Sequence, residues 1–214
     1  GNFFKMPDLN TVSPDTSPAF SLQTEHPSGV QYAKYLRDVA KYYDLPIKTG
    51  ITVNSVKKTV KGFELKTNKK KILSHYLIWA AGEFQYPKKD SFDGSDLCIH
   101  HSEIKSFKDI QGNGRIIIGG YESGFDSAIN ISKNGYKVVL LDSKDHLHTV
   151  SSDSSYSLSP FTRDNVRENI KNIDYHKNTI VEKVLKKGNT YTVYTTNGKF
   201  ETEHAPINAT GYSS

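Results

Sequence analysis

The sequence predicts an α/β protein built from two Rossmann-like, dinucleotide-binding domains, each carrying a β-meander, with the first domain incomplete. Three observations carry that expectation. The stretch from Arg115 to Asp142, RIIIGGYESGFDSAINISKNGYKVVLLD, reads as strand, glycine turn, helix, strand and acid. That is the order of a dinucleotide-binding βαβ unit. Two stretches, starting at Thr52 and Thr179, repeat one another loosely. A helical pattern precedes each repeat, but only the second has a βαβ unit ahead of it.

Taken in order, Asn10 to Pro18 is rich in Ser, Pro and Thr and reads as a surface loop. Ser28 and Gln31 form a capping-box pattern, and Tyr32, Leu36, Val39, Ala40 and Tyr43 recur at helical spacing. A helix is expected from Ser28 to Leu45, stopped by Pro46. The first meander follows. Phe63, Leu65 and Thr67 alternate, Gly62 and Asn68 mark turns, and a third run ends at Ala80-Ala81-Gly82. The βαβ unit has strands at Arg115 to Ile118 and Val138 to Leu141, with the helix between them closing on Asn134-Gly135. A further helix, Thr162 to about Asn172, comes after Ser159-Pro160 with Thr162 as its expected cap. In the second meander Tyr191, Val193 and Thr195 alternate, Gly188 and Asn197-Gly198 mark turns, and the third run ends at Ala209-Thr210-Gly211. Each meander is expected to be followed by a strand that delivers a chain crossover. The domains expected are therefore 1–82 (partial, its own βαβ unit lying upstream of Gly1), 83–207 (complete) and 208–214 (crossover back to the first).

The glycine turn carries the chemistry. Gly119, Gly120, Ser123 and Gly124 would present N–H and hydroxyl donors to a pyrophosphate, aided by the positive end of the following helix. Tyr121 stands where the middle glycine of G-x-G-x-x-G is expected, so it should hold the pyrophosphate off or bend the turn. Glu122 completes the turn. Asp142, about 20 residues beyond the first glycine, is placed to accept the adenosine ribose hydroxyls. That role would favour NADH modestly over NADPH, with Lys144 and His146 able to offset it.

Composition narrows the remaining classes. Of the 214 residues 36% are hydrophobic and 24% charged, and no apolar run approaches the length of a membrane span. The single cysteine, Cys98, excludes an internal disulfide and a C-x-x-C redox pair. A reducing cytoplasm is the expected setting. A net charge of +5 raises nucleic acid as a partner, but the lysines lie scattered in hairpins without interleaved aromatics, so a solvated surface is expected instead. Neither a membrane nor a nucleic acid is an expected partner; the small-molecule substrate and the oligomeric state stay open. His100 and His101 lack companion ligands at metal spacing and are read as loop histidines, and Cys98 as an inert thiol.

Several motifs together resemble the flavin-containing monooxygenases and their relatives with two dinucleotide-binding domains, a class that includes thioredoxin reductases. Asn208-Ala209-Thr210-Gly211-Tyr212 is similar to the family's A-T-G-Y crossover. Trp79-Ala80-Ala81-Gly82, followed by Pro87, is similar to its first crossover, with Ala81 in place of threonine. Phe92-Asp93-Gly94 and His101-Ser102-Glu103-Ile104-Lys105 resemble its F-x-G-x-x-x-H-S fingerprint with a longer spacer. His26-Pro27-Ser28-Gly29 and Tyr32 also read like these proteins. The resemblance implies FAD in the full-length parent and NAD(H) or NADP(H) here, with hydride passing from nicotinamide to flavin and no catalytic side chain needed. It adds Ala81, Gly82, Thr210 and Gly211 as cofactor-binding candidates, and Glu83 and Tyr86 as candidates for substrate or nicotinamide contact. A non-catalytic NAD(H)-sensing module is the alternative.

Overall fold

The computed structural model describes residues 11–13, 15–24, 27–153 and 156–213. His26 and Asn10, named above, lie outside them. Two compact units divide after Trp79, three residues earlier than the boundary expected from the crossover motif. Residues 208–213 belong to the second unit.

In the first unit, α1 (Pro18–Leu22) is capped by Ser17, and α2 (Gly29–Tyr42) carries the full reciprocal capping box of Ser28 and Gln31. The second helix ends three residues short of Leu45, because the chain turns into the left-handed region at Asp44 (φ 47°) before Pro46 is reached. Tyr35 and Val39 form its buried side. Strands β1 (Val53–Thr59), β2 (Gly62–Thr67) and β3 (Lys71–Ser74) make the expected antiparallel meander. The strand expected after it is absent: residues 75–79 join no β-ladder among the described residues, and Tyr76, Ile78 and Trp79 are 87%, 89% and 68% exposed. A parallel strand forms only where neighbours satisfy its N–H and C=O groups, and the described residues of this unit hold no parallel sheet.

The second unit does hold one. β4 (Ile99–His100), β5 (Arg115–Ile118), β6 (Val138–Leu141), β7 (Ile173–His176) and β11 (Ile207–Asn208) form a parallel sheet in the order β4-β11-β5-β6-β7. Its central strands β5 and β6 are almost wholly apolar because both faces are covered. On one face α3 (Glu122–Lys133) and α4 (Pro160–Asn169) pack Phe125, Ala128, Ile129 and Val166 against Ile117, Leu140 and Ile207. On the other lies the second meander, β8 (Val181–Lys187), β9 (Thr190–Thr195) and β10 (Gly198–Thr202), whose Val184 and Val193 meet Ile116, Ile118 and Leu141. Alternate residues of β5 thus serve two separate cores. The two meanders match even in their irregularities: β1 shifts register between Val53 and Ser55, and β8 between Val181 and Lys183.

Helix α4 begins two residues earlier than expected. Ser159 is its cap, accepting from the Thr162 amide at 3.2 Å, and Pro160 occupies the first turn, where its missing N–H removes no helical bond. A turn of 3-10 helix at Ile170–Asn172 continues it.

Helix α3 rides close on β5 because Gly124 has no side chain. A Cβ there would fall 1.7 Å from the Gly119 carbonyl oxygen, a backbone atom that cannot step aside. Gly124→Ala is expected to destabilise the fold by at least the ~1–3 kcal/mol typical of overpacking, read as a lower midpoint in urea unfolding. An unchanged midpoint would mean that α3 shifts freely.

Candidate functional site

The sheet reverses its winding at β5. The chain leaves β5 through α3 to β6 on one side, whereas its other neighbour, β11, arrives from the far end of the sequence. Ligands of open α/β sheets bind beyond the carboxyl ends of the strands at such a switch point. The glycine turn sits there. Gly119 takes φ 110°, donates its amide to the Leu141 carbonyl at 2.9 Å, and passes so near β11 that a Cβ would lie 2.5 Å from the Ala209 oxygen. Gly120 faces the other way, where a Cβ would meet the Asp142 Cβ at 2.2 Å. It is therefore as constrained as the fingerprint glycines on either side. Helix α3 then starts at Glu122 with no side-chain cap, which leaves its first turn of N–H groups to an anion. Ser123 lies in that turn. Beside it opens a cleft of about 210 Å³, floored by Ile118 and Leu141 and edged by Gly119, Ser143, Lys88 and Thr210.

Three of the expected contacts are turned away from this cleft. The Glu122 carboxylate accepts from the Ser159 amide (2.5 Å) and the Thr162 hydroxyl (2.6 Å), so it serves the N-terminus of α4. Tyr121 packs its ring against the helix-side core and lies 5.2 Å from the His146 ring. Its hydroxyl reaches the Ser157 carbonyl at 3.4 Å. Asp142 is buried, and its carboxylate accepts from the amides of Lys144 and His146, from His146 Nδ1 and from the Tyr175 hydroxyl at 2.7–2.9 Å.

The crossover is held by polar contacts. Asn208, 1% exposed, accepts from the Thr210 amide and hydroxyl and donates to the Lys88 carbonyl. The Thr210 hydroxyl meets that of Ser91 at 2.5 Å. Gly211, at φ 97°, accepts from the Lys88 amide and from His100 Nε2. The Ser213 amide donates to Tyr86, so residues 86–88 and 211–213 run as a short ribbon. Ala81 and Gly82 are exposed ahead of it, Gly82 at φ 74°. Glu83 is also exposed; its charge, after burial, helps push the Tyr212 hydroxyl above its ordinary range. The half-exposed Tyr86 has its carbonyl in the ribbon. His100 and Asn208 escaped the sequence reading as polar anchors. Their only signal was their place inside otherwise apolar two-residue strands.

Two titratable groups near the edge are settled by their surroundings. Burial, then the charge of Asp96, pushes the Cys98 thiol up to about 12, which leaves it unreactive as a thiolate. Burial and the adjacent His100 push His101 below its ordinary value, so it stays neutral.

Asp145, by contrast, is held at about 2, chiefly by its hydrogen bond from Lys177 at 2.8 Å and then by His148. A folded-state value below the unfolded one adds stability above pH ~4 that is lost as the pH falls toward 2. Asp145→Asn should therefore lower stability at pH 6 to 8 by about the 0.2–1 kcal/mol of a surface pair. The gap in melting temperature should close on acidification. A gap that stays constant down to pH 3 would show that the pair contributes nothing.

The geometry has counterparts among known proteins. The chain is 32% identical over 111 residues to the uncharacterized oxidoreductase CzcO of Bacillus velezensis, covering 50% of this chain and 32% of that protein. It therefore spans about a third of the curated relative it matches. A bacillithiol disulfide reductase from Staphylococcus aureus superposes with a TM-score of 0.76 at 23% identity, over 99% of this chain and 63% of that one. An L-lysine 6-monooxygenase from Pseudomonas syringae gives 0.67 at 14%, over 91% and 60%. At such identities the likeness is one of fold. The sequence as a whole, residues 1–214, matches the pyridine nucleotide-disulphide oxidoreductases, which are FAD-dependent and use NAD(P)H, and the chain belongs to that family.

Proposed function

We propose that this chain forms the nicotinamide-dinucleotide-binding part of an NAD(P)H-dependent flavoprotein oxidoreductase, together with part of its flavin domain. The observation that carries the reading is the turn at the switch point. Each of Gly119, Gly120 and Gly124 lies where a Cβ would meet a backbone atom or Asp142, and an uncapped helix begins directly behind them. Such a cradle fits a pyrophosphate. When bound, the nicotinamide supplies a hydride to the flavin. The chain's own residues bind and orient: the turn and the first turn of α3 take the phosphates, Ile118 and Leu141 floor the adjoining cleft, and Thr210 and Gly211 hold the crossover beside it.

For the acceptor, the motifs of the sequence suggest oxygen, in the manner of a monooxygenase. A second reading, reduction of a small disulfide, is favoured by the greater likeness to the bacillithiol reductase, over more of the chain than to the lysine monooxygenase. Cys98 takes no part in either, given its raised value.

The donor side is tested by titrating NAD⁺ and NADP⁺ into the chain by calorimetry. One saturable site is expected, and Gly120→Ala should weaken it at least tenfold, about 1.4 kcal/mol. Heats no different from buffer with both nucleotides would sink the proposal and leave the sensing alternative without support as well. The flavin side is read from absorbance. We expect this chain to purify colourless and a chain extended upstream through a further βαβ unit to be yellow; stoichiometric flavin in this chain would refute that part. In the yellow protein, NADPH consumption with oxygen alone, against consumption with oxidised glutathione under argon, separates the two acceptors.

A further inference from the structure

We infer that Asp142 is a positioning residue, holding the phosphate turn and the loop after β6 together, and that it does not receive the ribose hydroxyls of the dinucleotide. The inference rests on the dinucleotide reading above. A carboxylate that recognises a ribose must turn an oxygen toward the ligand. Asp142 is 0% exposed, and a carboxylate has about four lone-pair sites in all. The Lys144 amide and His146 Nδ1 occupy Oδ1, both at 2.9 Å; the His146 amide (2.9 Å) and the Tyr175 hydroxyl (2.7 Å) occupy Oδ2. Ribose hydroxyls would have to displace donors that a buried anion needs, since an uncompensated buried charge is strongly destabilising.

The surroundings favour that arrangement. Burial, and next the donation to Asp142, raise Tyr175 well above its ordinary range, so its hydroxyl remains a donor. His146 Nδ1 faces Oδ1 at 2.9 Å and donates there in the tautomer that places its proton on that nitrogen. The neighbouring Asp145 is engaged chiefly by Lys177 and His148 and takes only a long contact, 3.4 Å, from the Tyr175 hydroxyl, which lies 2.7 Å from Asp142.

Asp142 also touches the turn from two sides. Its Cβ and Cγ fill the space beside Gly120 where a side chain would otherwise stand. Through His146, whose ring lies 5.2 Å from that of Tyr121, it bears on the residue that immediately precedes α3. The residue left to line the cleft beyond β6 is Ser143. Choice between NADH and NADPH is thereby taken away from the acid that the sequence pattern assigns to it.

The test is calorimetric titration of NAD⁺ and NADP⁺, separately, into wild type, Asp142→Asn, His146→Ala, His146→Asn and Tyr175→Phe, well below every melting temperature. Tyr175→Phe keeps the ring and guards against a variant that fails to fold. We expect His146→Ala, Tyr175→Phe and Asp142→Asn to weaken both nucleotides together, roughly tenfold, with their affinity ratio within about threefold of wild type. His146→Asn, whose amide nitrogen takes the place of Nδ1, should recover part of the loss. The inference is overturned if Asp142→Asn moves the ratio by about tenfold or more while the His146 and Tyr175 variants bind as wild type. It is equally overturned if those variants melt earlier but bind both nucleotides unchanged, which would make the network structural only. Wild type that binds neither nucleotide removes the dinucleotide reading and the inference with it, and that result is seen before any substitution is made.

Discussion

Close approach of backbone to backbone at Gly119 is the constraint on which the carboxyl edge depends. The crossover strand passes on one side, helix α3 rides on the other, and neither leaves room for a Cβ. Because β5 is flanked by strands from opposite ends of the sequence, this is where the sheet changes direction and where a cleft can open. The start of α3 has no side-chain cap because its N-cap position holds Tyr121, whose hydroxyl reaches instead to the Ser157 carbonyl. What would be a defect in an ordinary helix becomes the feature that suits a phosphate.

Polar residues around that edge are largely committed to the protein itself. Asp142 ties the loop after β6, Glu122 ties the start of α4, and Asn208 ties the crossover to Lys88. Each is a buried or half-buried polar group with several partners, and burial without partners would destabilise by about 1–3 kcal/mol per group. Such groups rigidify their surroundings when fully satisfied. The edge is thus a stiff frame whose remaining donors are mostly backbone amides, a composition suited to phosphate oxygens.

The two units show what a parallel sheet does for the strand that follows a meander. In the second unit Ile207–Asn208 slots between β4 and β5 and is buried throughout. In the first, the matching stretch after β3 carries a more apolar sequence, with Ile78 and Trp79, yet joins no strand and leaves both of them exposed. Two three-stranded meanders with the same order and the same bulge therefore differ in the fate of their final run. Propensity alone does not make a strand; hydrogen-bonded neighbours do.

Periodicity and turn chemistry made most of the fold legible in advance. Alternation at Phe63, Leu65, Thr67 and at Tyr191, Val193, Thr195 marked the meanders, Ser28 with Gln31 marked a helix start, and the order strand, glycine turn, helix, strand, acid marked the βαβ unit. Those signals are local, since each depends on neighbours within a few residues. Helix ends were less legible, because Asp44 and Ser159 act through backbone angles and caps that other residues nearby could equally have supplied. The roles of Tyr121, Glu122 and Asp142 were decided only by tertiary structure. Their donors and packing partners, Tyr175, Ser159, Thr162 and the His146 ring, come from loops, a strand and helix α4, up to 40 residues away. By itself the sequence determined that a glycine turn would form at Gly119 between a strand and a helix; the packed fold decided which side chains around it are engaged within the protein, because burial consumes hydrogen-bonding capacity that a linear pattern leaves open.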